Sequence, residues 1–223
     1  MSFFQRLKDE TEAQRKMLFQ APIIDRCMKG DINVDDYAAF LKQAYHHVKH
    51  TVPLLMSVGS KLPENKEWLR EAVAEYIEEE LGHQEWILND IEACGFDKQQ
   101  ARNSQPSEAT EIMVAYAYDC INRVNPLHFF GMVHVLEGTS IALADMAAES
   151  ISTALKLPNN AFSYLRSHGS LDIEHVKFFE SLMDKITDKE EQDAIIKAAK
   201  MFYHLYGNIF YSLTPSHGIA KAA

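Results

Sequence analysis

The chain has 223 residues, of which 47% are hydrophobic and 24% charged, so it carries enough apolar material for one large core and no bias toward disorder or fibre. The formal net charge of -10, with no clustered Lys or Arg, excludes the phosphate-binding surface that a nucleic-acid partner demands. No stretch reaches the length of a membrane span, and the start becomes charged before any apolar run of signal-peptide type. Cys27, Cys94 and Cys120 are odd in number and widely spaced, which argues against structural disulfides and a zinc knuckle. A cytoplasmic protein with no membrane partner is expected.

No linker of Gly, Ser and Pro divides the chain and no internal repeat is visible, so residues 1–223 read as a single domain. Almost every segment carries the helical rather than the alternating period. A first helix is expected over Ser2 to Phe19, with a short piece around Ile23 to Lys29. Asn33 reads as the N-cap of a long helix, with Asp35 and Asp36 in its first turn, where carboxylates favour the helix dipole. Pro53 should kink that helix one turn after His46, His47 and His50. A third helix is read from Glu64 to Cys94, and a fourth, capped by Ser107, from Glu108 to Val124. Asn125 and Pro126, a cap followed by proline at the first helical position, open a very apolar helix to Leu155. A short segment near Ala161 to Arg166 precedes the helix that follows Ser167. Thr187 to Glu190 resembles a capping box for a last helix ending near Leu213. The class is all-α, a compact bundle of about seven or eight helices.

Three of these helices place polar side chains inside their apolar stripes. After Ser167 the inward positions are His168, Leu171, Asp172, His175, Phe179, Leu182 and Ile186, while Glu174, Lys177, Glu180, Asp184 and Lys185 supply the outer face. In Glu64 to Cys94 one face runs Val73, Tyr76, Ile77, Glu80, His83, Ile87 and Ile91. Glu80 and His83 form E-x-x-H, the spacing by which a helix offers a carboxylate and an imidazole to one metal, whereas Glu78 and Glu79 fall off the stripe and should be solvated. The seam of the apolar helix contains His134 and Glu137, and a carboxylate among such neighbours must be protonated or meet a cation.

Glu80, His83, Glu137, His168, Asp172 and His175 are therefore candidate metal ligands. Three carboxylates and three imidazoles suit iron or manganese, and six donors are too many for one open site, so two metals are the natural count. A closed salt-bridge network is the competing reading, because a single inward His or Glu is most often a hydrogen-bonded core residue. His134 is assigned a supporting rather than a ligating role. The group His46, His47 and His50 has no carboxylate on its helix and reads as solvated or pocket-lining. Phe129, Phe130, Phe178, Phe179, Tyr203 and Tyr206 belong to the core, with some available to line a tunnel.

The segments "YAAFLKQAYHHVKHTVPLLM", "EELGHQEW", "VLEG" and "HGSLDIEH" together resemble the haem-oxygenase-like superfamily, the all-α fold shared by TenA-type thiaminases, the PQQ-biosynthesis C protein and iron-containing dimetal oxidases. The resemblance spans nearly the whole chain. The E-x-x-H, lone Glu and H-x3-D-x2-H series is similar to the ligand set of the dimetal oxidases, which implies Glu80, His83, Glu137, His168, Asp172 and His175 as ligands. Some members of that branch carry the first glutamate seven residues before the histidine, where this chain has Tyr76, so Glu80 serves instead. The thiaminase branch uses a nucleophilic cysteine near the start of the apolar helix, where this sequence reads "NPLHFFG" with His128. True haem oxygenases hold haem from an early helix, a part His46 could play, beneath a Gly-rich helix that Gly131 and Gly138 do not reproduce.

The resemblance implies a non-haem oxidase with two Fe(II) per chain, or manganese, using O2 as cosubstrate on a small organic molecule, with zinc or nickel as adventitious occupants and a homodimer as the assembly. Three ionised carboxylates against two divalent ions leave a formal charge of about +1, which favours an anionic substrate. The alternatives are a metal-free TenA-like hydrolase or lyase acting on a heterocycle such as a thiamine-related pyrimidine, and a non-catalytic small-molecule-binding or regulatory module on the same fold.

Overall fold

The computed structural model describes residues 1–213, the side chains of residues 168–174 excepted. Its helices are α1 (Phe3–Phe19), α2 (Pro22–Met28), α3 (Val34–Val48), α4 (Thr51–Lys61), α5 (Glu67–Glu80), α6 (His83–Ala93), α7 (Lys98–Arg102), α8 (Glu108–Asp119), α9 (His128–Leu155), α10 (Ser163–Met183) and α11 (Lys189–Ser212). The all-α class follows the helical period of the sequence, and no strand occurs among the described residues. Among them no helix is long and apolar enough to cross a membrane.

Several starts agree with local chemistry. Ser2 accepts from the Gln5 amide at 3.3 Å and opens α1, and Asn33 and Asp36 form a reciprocal capping box at α3. Ser107 caps α8 by accepting from the Thr110 amide. At α11 the cap is Asp188 rather than Thr187, because one carboxylate oxygen reaches the amides of both Glu190 and Glu191.

The expected long helices are broken, each for a local reason. Pro53 does not kink a continuous helix; α3 stops at Val48 and α4 starts at Thr51, with the break at Lys49, whose carbonyl the proline ring would strike. The helix read from Glu64 to Cys94 is two helices, since Leu81 turns extended and Gly82 sits at φ +93°. A side chain rarely adopts that backbone, so glycine sets the corner. Residues Glu64–Lys66 form a separate short 3₁₀ turn. The segment expected to end at Val124 leaves α-geometry at Cys120 for a π-helical turn. Asn125 accepts from the Leu127 amide at 2.9 Å, so it closes the turn before α9 rather than capping a helix that starts at Pro126.

One expected division is absent. The short piece at Ala161 to Arg166 and the helix after Ser167 are a single helix, α10. Its start is fixed from a distance: Asp90 on α6 accepts from the backbone amides of Ser163 at 3.0 Å and Tyr164 at 2.9 Å and from the Ser163 hydroxyl. This side chain acts as an N-cap delivered by another helix.

The core has two apolar clusters. One gathers α1, α4, α5, α8, α11 and the first half of α9, with Leu7, Leu54, Leu69, Phe130 and Phe202 fully buried. The other joins α3 and α6 to the second half of α9 and the start of α10 through Tyr37, Leu41, Ile87, Leu88 and Phe162. Helix α9 runs through both and is pressed against α11 at Gly131, where a Cβ would lie 2.6 Å from the Ala199 amide nitrogen. The candidate site lies on α9 where the clusters meet.

Candidate metal centre

Glu80 is the last residue of α5 and His83 the first of α6, so the corner at Gly82 sets their relation instead of one helical turn. The pairing survives: His83 Nδ1 lies 2.9 Å from Glu80 Oε2, with the imidazole 3% exposed and its ring 4.1 Å from that of Trp86. Glu80 and Glu137 line one cavity of about 70 Å3 together with Tyr76 and His47. The cavity takes Val48 from α3, Leu55 from α4, Phe129, Met132, Val133 and Leu136 from α9, and Tyr206 from α11. Its apolar walls come from both core clusters, which is why a polar hole can exist there: neither cluster extends across the seam.

Electrostatics mark the same place. Tyr76, 3% exposed, is pushed far above the ordinary phenol range, first by burial and then by the charges of Glu137, Glu79 and Glu80. Three carboxylates thus act on one phenol in a desolvated cavity, and its proton is held firmly. His175 on α10 stands beside it, with ring centroids 6.3 Å apart, and its Nε2 lies 3.2 Å from Glu79 Oε2. Glu79 is exposed, as its place off the stripe implies, and also holds an imidazole at the edge of the site.

The structure thus places Glu80 and Glu137 on one cavity and His83 against Glu80, with His175 against Glu79 and the ring of Tyr76. His168 and Asp172 lie outside the described side chains. Among the described residues no group of three or more His, Cys, Asp or Glu stands arranged to hold a metal ion. The donor set nonetheless fits iron in kind, since Glu80 and Glu137 bring carboxylate oxygen and His83 and His175 imidazole nitrogen to one desolvated region. Tyr76, expected as a member of the apolar stripe, lines the cavity with the two glutamates, and His47 alone of its histidine group takes the expected pocket-lining place there.

The other histidines are occupied elsewhere. His46 Nε2 lies 2.9 Å from Ser104 Oγ and its Nδ1 3.2 Å from Lys49 Nζ, and burial lowers its pKa to about 4. His50 meets the Tyr118 hydroxyl at 3.1 Å. His134, 7% exposed, packs its ring against Phe4, Phe179 and Tyr203, with Nε2 3.3 Å from Thr11 Oγ1. Because the Thr11 hydroxyl donates to the Leu7 carbonyl at 2.7 Å, it can only accept from His134, which places the imidazole proton on Nε2. Burial lowers the His134 pKa to about 4, so the ring is neutral and supports the α1–α9 contact.

Comparison with known proteins agrees with this architecture. A domain of unknown function with a heme oxygenase-like fold from Shewanella denitrificans superposes with TM-score 0.84 at 22% identity, covering 96% of this chain and 92% of that one. A TenA homolog from Pseudomonas syringae gives TM-score 0.79 at 11% identity over 94% and 91% of the two chains. The heme oxygenase of Leptospira interrogans gives 0.76 at 19% over 95% and 100%. No curated protein matches the sequence. The fold is haem-oxygenase-like. The sequence also matches the model of a family described as iron-containing redox enzymes over residues 38–207, and the chain belongs to that family.

Proposed function

We propose that the protein is a non-haem iron oxidase with two metals per chain that activates O2 to oxidise a small organic molecule. The observation that carries this reading is the convergence of Glu80 and Glu137 on one cavity beside Tyr76, with His83 held against Glu80. Glu80, His83, Glu137 and His175 would hold the iron, with His168 and Asp172 completing the set. Iron so held supplies the electrons that O2 activation requires and a Lewis-acidic anchor for the substrate.

The chain's own residues do the rest. Glu80 is oriented by the 2.9 Å contact with His83, so the carboxylate presents a fixed edge to the cavity. Phe129, Met132, Val133 and Leu136 exclude water from the carboxylates. Tyr76 keeps its proton under the field of three carboxylates and can donate a hydrogen bond without ionising.

Two other readings fit less well. A nucleophilic TenA-like hydrolase would need a reactive thiolate, but burial pushes Cys27 and Cys94 up to about 11 and raises Cys120 as well. Haem held from His46 is disfavoured by the contacts of that ring with Ser104 and Lys49, and a cavity of about 70 Å3 is small for a macrocycle. The test is anaerobic Fe(II) titration of metal-stripped protein with elemental analysis, followed by O2 exposure under an absorbance spectrometer. Near two irons per chain and a transient visible band lost in His175→Ala are expected; iron uptake no greater than background would sink the reading.

A further inference from the structure

A second cavity adjoins the first. It has a volume of about 80 Å3 and is walled by α2, α3, α9, α10 and α11, with Ile24, Leu143, Ala147, Ile151, Leu165 and Phe210 among its lining side chains. Ser140, Tyr164 and Tyr206 line both cavities, so the polar and apolar spaces meet at one junction. The polar space holds the two carboxylates, whereas the second offers hydrocarbon walls. Taken together, the two neighbouring cavities of about 80 and 70 Å3 approach the ~150 Å3 of an engineered apolar cavity that accommodates benzene.

From this we propose that the substrate is a compact amphiphile of about six to eight non-hydrogen atoms, judged by the benzene-sized volume. Its polar head lies on the Glu80 and Glu137 side and its apolar body in the lobe beside Ala147. What the head meets rests on the oxidase reading; the size and polarity of the ligand rest on the cavities alone. The lobe is roomy because Ala144 and Ala147 face it where larger residues would fill it. The limit on length comes from the combined volume, and Ser140, Tyr164 and Tyr206, which line both cavities, stand where head and body would join.

The test uses metal-stripped protein, so that iron plays no part, and neutral primary alcohols from propanol to decanol as probes, followed by calorimetric titration. Affinity should rise about fourfold per added carbon, the increment for burying one methylene, up to roughly hexanol, and then level off or fall. A steady gain through decanol would mean an open groove and would overturn the proposal, as would the absence of saturable hexanol binding. Ala147→Phe should weaken hexanol at least tenfold while Fe(II) uptake stays as in the parent; unchanged hexanol affinity would count against it. Leu143→Ala, which enlarges the lobe and does not depend on fitting a larger side chain, should move the preferred alcohol to a longer one, and an unmoved optimum would also overturn it. Failure of the iron titration in the parent would remove the oxidase reading without altering the alcohol series, so the two can fail separately.

Discussion

Asp90 and the pair Glu80 and Glu137 are carboxylates inside the same bundle, and their surroundings could hardly differ more. Asp90, 0% exposed, receives two backbone amides and a hydroxyl from the start of α10. Burial raises its pKa, and those donors oppose the rise. Its charge is answered by a helix N-terminus, where the dipole is positive. Glu80 and Glu137 instead border an open volume and act through it on Tyr76. A buried carboxylate therefore marks a site only when space accompanies it.

The comparison can be broken most directly at Asp90. Asp90→Ala strips three donors of their acceptor and should cost about 4 kcal/mol, a fall of roughly 10 °C or more in Tm, while iron uptake per folded chain stays the same. Chemical denaturation alongside iron analysis checks both halves. Equal loss of iron and stability would show that α10 positioning and metal binding are one property.

His134 sharpens the point, as a buried polar group satisfied by one neighbour. Its folded pKa of about 4 lies below the ordinary 6.5, so the unfolded chain binds the proton more readily. Its share of stability is intact above pH 6.5 and falls as pH drops toward 4, by on the order of 3 kcal/mol over that window. His134→Phe should flatten that part of the pH profile in denaturation experiments at pH 7 and 4.5, leaving the pH 7 iron titration unchanged.

The opposite arm of the comparison is tested by Glu137→Ala. Iron affinity should fall at least ~100-fold, about 2.7 kcal/mol, whereas the metal-free protein should be no less stable than the parent, since one of the charges acting on Tyr76 is removed. A large loss of metal-free stability would place Glu137 with Asp90 as a structural group. The smallest effect belongs to the corner between the two donors: Gly82→Ala, at φ +93°, should destabilise by ~1–2 kcal/mol and loosen the His83 contact with Glu80. A weakened first iron in titration is the expected readout.

Much of this was legible in the residues. The helical period, the caps at Ser2, Asn33 and Ser107, and the inward phase of Glu137 follow from local spacing, because periodicity and capping depend on neighbours within a few positions, whereas the Glu80 and His83 pair is set by the corner at Gly82. The break near Pro53 was legible in kind but displaced, since the proline acts on the carbonyl four residues earlier. Gly82 was visible as a letter, but only the packing of α5 and α6 into different clusters decides that the chain turns there.

What the sequence by itself determined is the all-α class and the face of the long apolar helix on which His134 and Glu137 lie, because helical phase fixes which way a side chain points. Tertiary structure alone decided which carboxylates and imidazoles share space: that His47 faces the cavity while His46 is tied to Ser104, that His134 turns to Thr11, and that Asp90 caps a helix 73 positions away. Phase is a property of one helix. A cavity is a property of several helices whose apolar faces stop short of one another, and no single stripe of residues records where that happens.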